Sequence, residues 1–372
     1  MSPTLNVGVD ARSLVSPHTG VGRYTTNLVR EFALQQSPQR IFLYSHRPFK
    51  LDFPLPQHWR VRTGAVYSGG LSTAFAQAFF PIWALRDGIN AFWSPCHQLP
   101  ILMPSRIRKV VTIHDCVWKR FPETMRRSAP VLEALLTPTS LRIADSVIAD
   151  SQFTRSELQV LFPGVRSKIN VIYLASSLKT DGPTGACRVP NPYFLFVGST
   201  EPRKNLQRML LAYVQYRKAN HRPHDLVIVG ADQWGGFSVI DFIKTNDLGS
   251  SVHVVKNADD TLLSALYANA QALVLVSLYE GFGLPLVEAM QWGTPLIASS
   301  TSSIVEVAGD AALLVDPNDT DGIAKAFGQM TEDEAMRLDL SIKSEARGKE
   351  FSWDKTASET MALIAGDLTV AE

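Results

Sequence analysis

Two carboxylates, Glu280 and Glu288, flank a Gly-Phe-Gly-Leu-Pro turn in the stretch "SLYEGFGLPLVEAM", directly after the apolar run "ALVLV". The run predicts a buried strand, so Glu280 falls at its carboxyl end. Pro285 suits the first turn of a helix, where its missing N–H has no partner in any case. Glu288 is expected in that same first turn. Glycines let backbone approach a ligand closely, and the free N–H groups of a helix start attract anions. Such a loop can hold a polyhydroxylated ligand, with each carboxylate accepting from a pair of hydroxyls and the turn's amides donating to hydroxyl or phosphate. The plainer alternative makes Glu280 a solvated loop residue and Glu288 a partner of the helix dipole.

Three further stretches carry comparable chemistry. In "VGSTEPRKNLQRML" a strand ends at Gly198 and a helix is expected near Asn205. Arg203 and Lys204 beside free helix N–H groups would make a pyrophosphate site, or else a basic, solvated helix start. In "PHTGVGRYTTNLVREF" Gly20 and Gly22 are placed between the first strand and the first helix. Gly22 could bring backbone against a phosphate or a sugar, or simply make a tight turn. In "KVVTIHDCVWKRFP" His114 ends a predicted strand beside Asp115. It could hydrogen-bond a sugar hydroxyl or a leaving group, or be a structural histidine. The literal Asp319-Thr320-Asp321 precedes a helical pattern, where capping outweighs metal binding. There is no Walker A loop and no GxGxxG.

The elements that must position these residues alternate from end to end. Six apolar runs in the first half ("LNVGVD", "RIFLYS", "AFWS", "KVVTIH", "SVIAD", "INVIY") and six in the second ("YFLFVG", "DLVIVG", "VHVV", "ALVLV", "PLIAS", "AALLV") are separated by helical patterns. That alternation predicts an α/β fold of parallel sheets covered by helices. It breaks once, at the Gly- and Pro-rich segment 176–192, read as a linker. Two Rossmann-like domains, 1–175 and 193–351, are expected to face each other across a cleft, with ligand loops at the carboxyl ends of the strands. A last helical segment, 352–372, could pack on either domain. With 372 residues and 45% hydrophobic content, the chain is long enough for two cores.

Glu280 and Glu288 around "GFGLP", "RKN" after "VGS", "TGVGRY" at the first turn, "TIHD", and "ADSQFTRSEL" together resemble the retaining GT-B glycosyltransferases of family four. The resemblance covers nearly the whole chain. It implies that Glu288 binds the nucleotide ribose and Glu280 the donor sugar. The backbone of Phe282, Gly283 and Leu284 would hold sugar hydroxyls and phosphate. Arg203 and Lys204 would neutralise the diphosphate, Gly22 would approach it from the other domain, and His114 would lie near the reacting centre. It further implies no metal and no cofactor beyond the nucleotide-sugar donor, and a final helix, 352–372, that crosses back to the first domain. The wording of "GVGRY" and "GSTEPRKN" is most similar to mannosyltransferases that use GDP-mannose in bacterial lipopolysaccharide O-antigen assembly. That likeness implies an oligosaccharide acceptor on a polyprenyl diphosphate.

The net charge of +1 conceals an asymmetry: residues 1–175 hold 20 Lys and Arg against 10 Asp and Glu, the remainder 16 against 25. A basic half suits an anionic partner. Nucleic acid has no recognisable motif here; a phosphorylated lipid or an anionic membrane face is the other candidate, and accidental surface charge the plainer reading. Basic residues between 101 and 127, with Phe75, Phe79, Phe80 and Trp83 of "LSTAFAQAFFPIWAL", could rest on such a surface. A core helix is the other reading of that stretch. Three scattered cysteines and the lack of a signal-peptide apolar region favour the cytoplasm, at the inner face of the cell membrane. Three competing readings stand: a UDP-sugar transferase with another acceptor, a GT-B epimerase, and a non-enzymatic nucleotide- or nucleic-acid-binding module.

Overall fold

Short, wholly apolar runs cannot alternate inward and outward faces, so they are stable as strands only between two layers of helices. In a computed structural model the chain meets that requirement twice. Residues 5–35, 39–125, 129–178, 189, 192–230 and 237–367 are described. The chain divides into two units. One comprises Met1–Arg120, Arg126–Leu174 and Ser352–Glu372, and the other Phe121–Met125 and Ala175–Phe351. Most of the linker segment lies outside the described residues.

The first unit runs β1 (Asn6–Asp10), α1 (Gly20–Leu34), β2 (Arg40–Ser45), β3 (Arg60–Thr63), α2 (Ser72–Arg86), β4 (Ala91–Ser94) and β5 (Arg108–Ile113). It continues with α3 (Val117–Arg120), α4 (Ala129–Ile143), β6 (Ser146–Ala149), α5 (Gln152–Leu161) and β7 (Ile169–Val171). Its strands form one parallel sheet in the order β3-β2-β1-β4-β5-β6-β7. The sequence pattern missed β3, whose "RVRT" is mostly exposed at the sheet edge and has no apolar run to betray it.

The second unit runs β8 (Tyr193–Val197), α6 (Leu206–Ala219), β9 (Asp225–Val229), α7 (Val239–Thr245), β10 (Val252–Val255), α8 (Asp260–Asn269) and β11 (Ala272–Leu275). Then come α9 (Leu284–Met290), β12 (Leu296–Ser299), α10 (Ser303–Ala308), β13 (Ala312–Val315), α11 (Thr320–Glu332) and α12 (Glu334–Gly348). Its parallel order is β10-β9-β8-β11-β12-β13. In both sheets the order reverses beside the unit's first strand, between β1 and β4 and between β8 and β11. Ligands of such sheets gather where the order reverses, beyond the strands' carboxyl ends.

The final helix, α13 (Trp353–Ala365), belongs to the first unit. Ser352 caps it by accepting from Lys355 N. Thr356 Oγ1 donates to Tyr173 O at 2.7 Å, and Arg108 Nε donates to Leu363 O at 3.1 Å.

On α2 the core-helix reading holds for three of the four rings. Phe80 is fully buried, and Phe75 and Trp83 pack against the same core; of the four rings only Phe79 turns outward. The core of the first sheet lies under that helix and takes the large rings. Among the described residues no helix is long and apolar enough to cross a membrane.

Candidate active site

In the second unit the decisive residues follow β8 and β11, the two strands at the reversal. After β8 the chain makes a short turn, Pro202–Lys204, before Asn205 enters the left-handed region with φ 59° and α6 begins. Arg203 and Lys204 therefore sit on that turn and not in the helix. Asn205 Nδ2 donates to Val276 O at 3.0 Å and to Pro317 O at 2.7 Å, and Leu278 N donates to Arg203 O at 2.7 Å. These bonds fix the basic turn against the end of β11.

Glu280 is buried at the meeting point. Its carboxylate accepts from Lys204 Nζ at 2.6 Å, Arg203 Nη1 at 3.1 Å and Ser277 Oγ at 2.7 Å. Its backbone is held as well: Glu280 N donates to Ser302 Oγ at 3.2 Å and Ser303 Oγ donates to Glu280 O at 2.9 Å. Arg203 also reaches Glu201 at 2.9 Å. Burial alone would raise the Glu280 pKa, but Lys204 and Arg203 outweigh it and hold the carboxyl down at about 2. Burial pushes the Lys204 ammonium down, against the opposing pull of Glu280, with Arg203 adding to the fall. One carboxylate thus serves two cations, and an anion arriving beside Lys204 would favour its charged form.

The turn after Glu280 has its own geometry. Gly283 has φ +97°, a conformation that L side chains rarely adopt, and it precedes α9 as the N-cap residue. Pro285 occupies the first turn of α9. Glu288 does not: counted from Leu284 it is the fifth helical residue, in the second turn. With only 7 residues α9 offers little dipole, and Glu288 faces inward instead. It is buried and accepts from Tyr267 OH at 2.8 Å. Tyr267, fully buried on α8, is held in turn by Thr294 Oγ1 donating to its carbonyl at 2.8 Å. Phe282 is buried edge-on to Phe351, with ring centres 5.9 Å apart.

Gly22 and His114 belong to the first unit. Gly22 lies inside the first turn of α1 and not in a loop before it, because Thr19 caps the helix and accepts from Gly22 N at 3.1 Å. A Cβ at Gly22 would stand 2.2 Å from Ser16 O, so close local packing already requires the glycine. His114 follows β5 directly. Its Nε2 lies 2.8 Å from Pro95 O, which can only accept, and its Nδ1 lies 2.5 Å from Asp150 Oδ2. Both ring nitrogens are therefore engaged within the unit, while Asp150 Oδ1 is buried without a hydrogen-bond partner among the described residues. His114 N also donates to His97 Nε2 at 2.9 Å. Burial opposes a charge on His97 and Glu133 favours one, lifting its pKa to about 9. A lone pair must face His114 N, however, so the neutral ring with its hydrogen on Nδ1 fits the bond.

Tyr267, Ser277, Asn205, His97 and Asp150 join these clusters without having been expected from the sequence. Asp150 ends "SVIAD" and had the same strand-end signal as His114; the others stand at positions where a core or turn residue is equally ordinary. Asp319 Oδ1 accepts from Gly322 N at 3.0 Å as the cap of α11, in keeping with the capping reading of the Asp-Thr-Asp motif. Among the described residues no group of three or more His, Cys, Asp or Glu side chains could hold a metal ion.

Sucrose-phosphate synthase from Thermosynechococcus elongatus shares this architecture, with a TM-score of 0.75 over 97% of this chain and 98% of that one at 20% identity. Two family models match in tandem: Glycosyltransferase Family 4 over residues 18–175 and Glycosyl transferases group 1 over residues 186–347. The chain is a GT-B glycosyltransferase. The glycosyltransferase is 29% identical to O-antigen chain mannosyltransferase B of Escherichia coli over 367 residues, 93% of this chain and 95% of the relative. It is 27% identical to O-antigen chain mannosyltransferase RfbU of Salmonella typhimurium over 223 residues, 60% of each.

Proposed function

We propose that this glycosyltransferase moves mannose from GDP-mannose, with retention, to an oligosaccharide carried on a polyprenyl diphosphate in lipopolysaccharide O-antigen synthesis. The observation that carries the reading is the convergence of Arg203 and Lys204 on Glu280 at the reversal of the second sheet. A pair of cations at that place suits a diphosphate. The choice of mannose, and of an O-antigen acceptor, leans on the named activities of the two relatives.

In the proposed reaction the bond from the anomeric carbon to the phosphate oxygen breaks, and the acceptor oxygen bonds to that carbon on the same face. The acceptor's proton passes to the leaving phosphate. Arg203 and Lys204 turn from Glu280 to the departing diphosphate and stabilise its growing charge without a metal. Glu280 is then free to accept from hydroxyls of the donor sugar. Glu288, oriented by Tyr267, accepts from the ribose hydroxyls. The chain would work at the inner face of the cell membrane, where a polyprenyl-linked acceptor is anchored.

The test is a panel of GDP-, UDP- and ADP-sugars scored for melting-temperature shift, hydrolysis and transfer, with and without a chelator. GDP-mannose should stabilise the protein selectively and turn over in the chelator, and the product should keep the α-configuration by NMR. Selectivity for a UDP-sugar would overturn the donor. Acceptor-independent conversion of the sugar nucleotide would point to an epimerase.

A further inference from the structure

We propose that one outer face of the first unit, built from α2, the Leu99–Met103 turn and α4, docks on an anionic phospholipid bilayer. From Ala74 to Leu85 every exposed residue of α2 is apolar: Ala74, Ala78, Phe79, Ile82 and Leu85. They recur at the three- and four-residue spacing of one helix face. The next turn continues the surface, with Leu102 at 78% exposure beside exposed Ile101. Gln77 joins that turn to α2, donating to Leu99 O at 3.0 Å and accepting from Ile101 N at 2.8 Å. Leu99 N donates to Ser140 Oγ of α4 at 2.8 Å, which ties in the third element. On α4, Val131 and Leu135 are 62% and 66% exposed, with Leu132 between them.

Large apolar patches are uncommon on soluble surfaces and mark contact sites. The charges choose the occupant. Arg86 closes α2, Arg106 follows the turn and Arg142 closes α4, all exposed. Two of the nearby acids are engaged within the unit, and the third, Asp145 just past α4, is exposed but lies 3.5 Å from Lys109 Nζ. Glu133 accepts from Thr137 Oγ1 at 2.8 Å and faces His97, and Asp87 pairs with Arg62 and Tyr44. An apolar strip with a basic rim matches acyl chains beneath anionic headgroups. A second copy would bring a like-charged rim onto this one. At 15 residues α2 is about 22 Å long and would lie along the surface. α12 in the second unit also exposes Leu338 and Ile342, but there ion pairs Lys343–Asp339 and Lys349–Glu345 run along the same helix.

The proposal deepens the reading of a membrane-borne acceptor and rests on it only for its purpose, so binding and transfer are measured apart. The full chain is floated with vesicles of equimolar phosphatidylglycerol and phosphatidylcholine, and with phosphatidylcholine alone. The protein should rise with the anionic vesicles. The double variants Ile82→Ser/Leu85→Ser and Leu102→Ser/Leu135→Ser should each lower binding about tenfold or more. Their melting temperatures and their sugar-nucleotide turnover in solution should be unchanged. Arg86→Gln/Arg106→Gln should weaken the preference for anionic vesicles about fivefold per charge removed. Failure of the parent protein to float, or variants that float equally well, would overturn the proposal. A concentration-dependent dimer in light scattering that the same variants dissolve would assign the face to self-association instead. A donor panel that excludes GDP-mannose would leave the flotation result standing.

Discussion

In the first unit the ring of His114 is closed by its neighbours, one nitrogen against Asp150 and the other against a backbone carbonyl. In the second unit the carboxylate of Glu280 is divided between two cations on a short turn. Both clusters stand beyond strand ends, and both bury charge. They differ in what a ligand could change. A carboxylate shared by two cations can release them to a stronger anion and accept from hydroxyls in their place. A ring bonded at both nitrogens must break a bond to make one. The comparison separates charge available for exchange from charge that holds the backbone.

The largest effect should come from the exchangeable cluster. Arg203→Ala is expected to lower kcat/KM by about 2.7–4 kcal/mol, roughly a hundred- to a thousand-fold, by analogy with the loss of an oxyanion donor. Its melting curve should move little. Near-normal turnover would mean that Arg203 serves only its carboxylate partners, Glu280 and Glu201. Next, His114→Ala should cost about 1–3 kcal/mol of stability by leaving Asp150 without its partner. Kinetics normalised to folded protein then show whether His114 also touches substrate, since a kcat loss beyond the unfolded fraction requires it. Smaller again is Tyr267→Phe, which removes the hydroxyl that Glu288 accepts from. Calorimetry should show nucleotide binding weaker by about 1 kcal/mol, with kcat nearly unchanged. The faintest signal is confined to acid. The folded-state Glu280 value, about 2, lies below its ordinary 4.5, so its stabilisation is complete above the ordinary value and fades as pH falls toward 2. The melting-temperature gap between the parent and Glu280→Gln should therefore narrow across that window, and a constant gap would contradict the paired carboxylate.

The strands were legible in the sequence because a parallel sheet buried on both faces leaves runs such as "ALVLV" and "DLVIV" with no polar alternation. The edge strand β3 lacks that burial and left no such mark. Arg203, Lys204 and Glu280 were legible as strand-end residues, but their mutual pairing was not. Nothing in local spacing tells a carboxylate whether it will meet hydroxyls or the cations of a turn far away in the chain. Glu288 falls just past the expected first turn because Gly283, not the glutamate's own neighbourhood, decides where α9 starts. The glycine at 22 had a reason invisible in the sequence, the return of Ser16 O to within 2.2 Å of its Cβ position. On α2 the aromatic count drew attention to rings that the core absorbs, while the aliphatic residues that face outward were unremarkable as letters.

The attachment of α13 to the first unit has a consequence for how the molecule is made. The ribosome delivers β1 through β7 first, yet the helix that covers α1 and reaches Arg108 and Tyr173 is translated only after the entire second unit. The early-born half must wait, with part of its apolar surface uncovered, until the last helix is made. Nascent-chain proteolysis should therefore find the first unit still open to cleavage long after its seven strands have been synthesised.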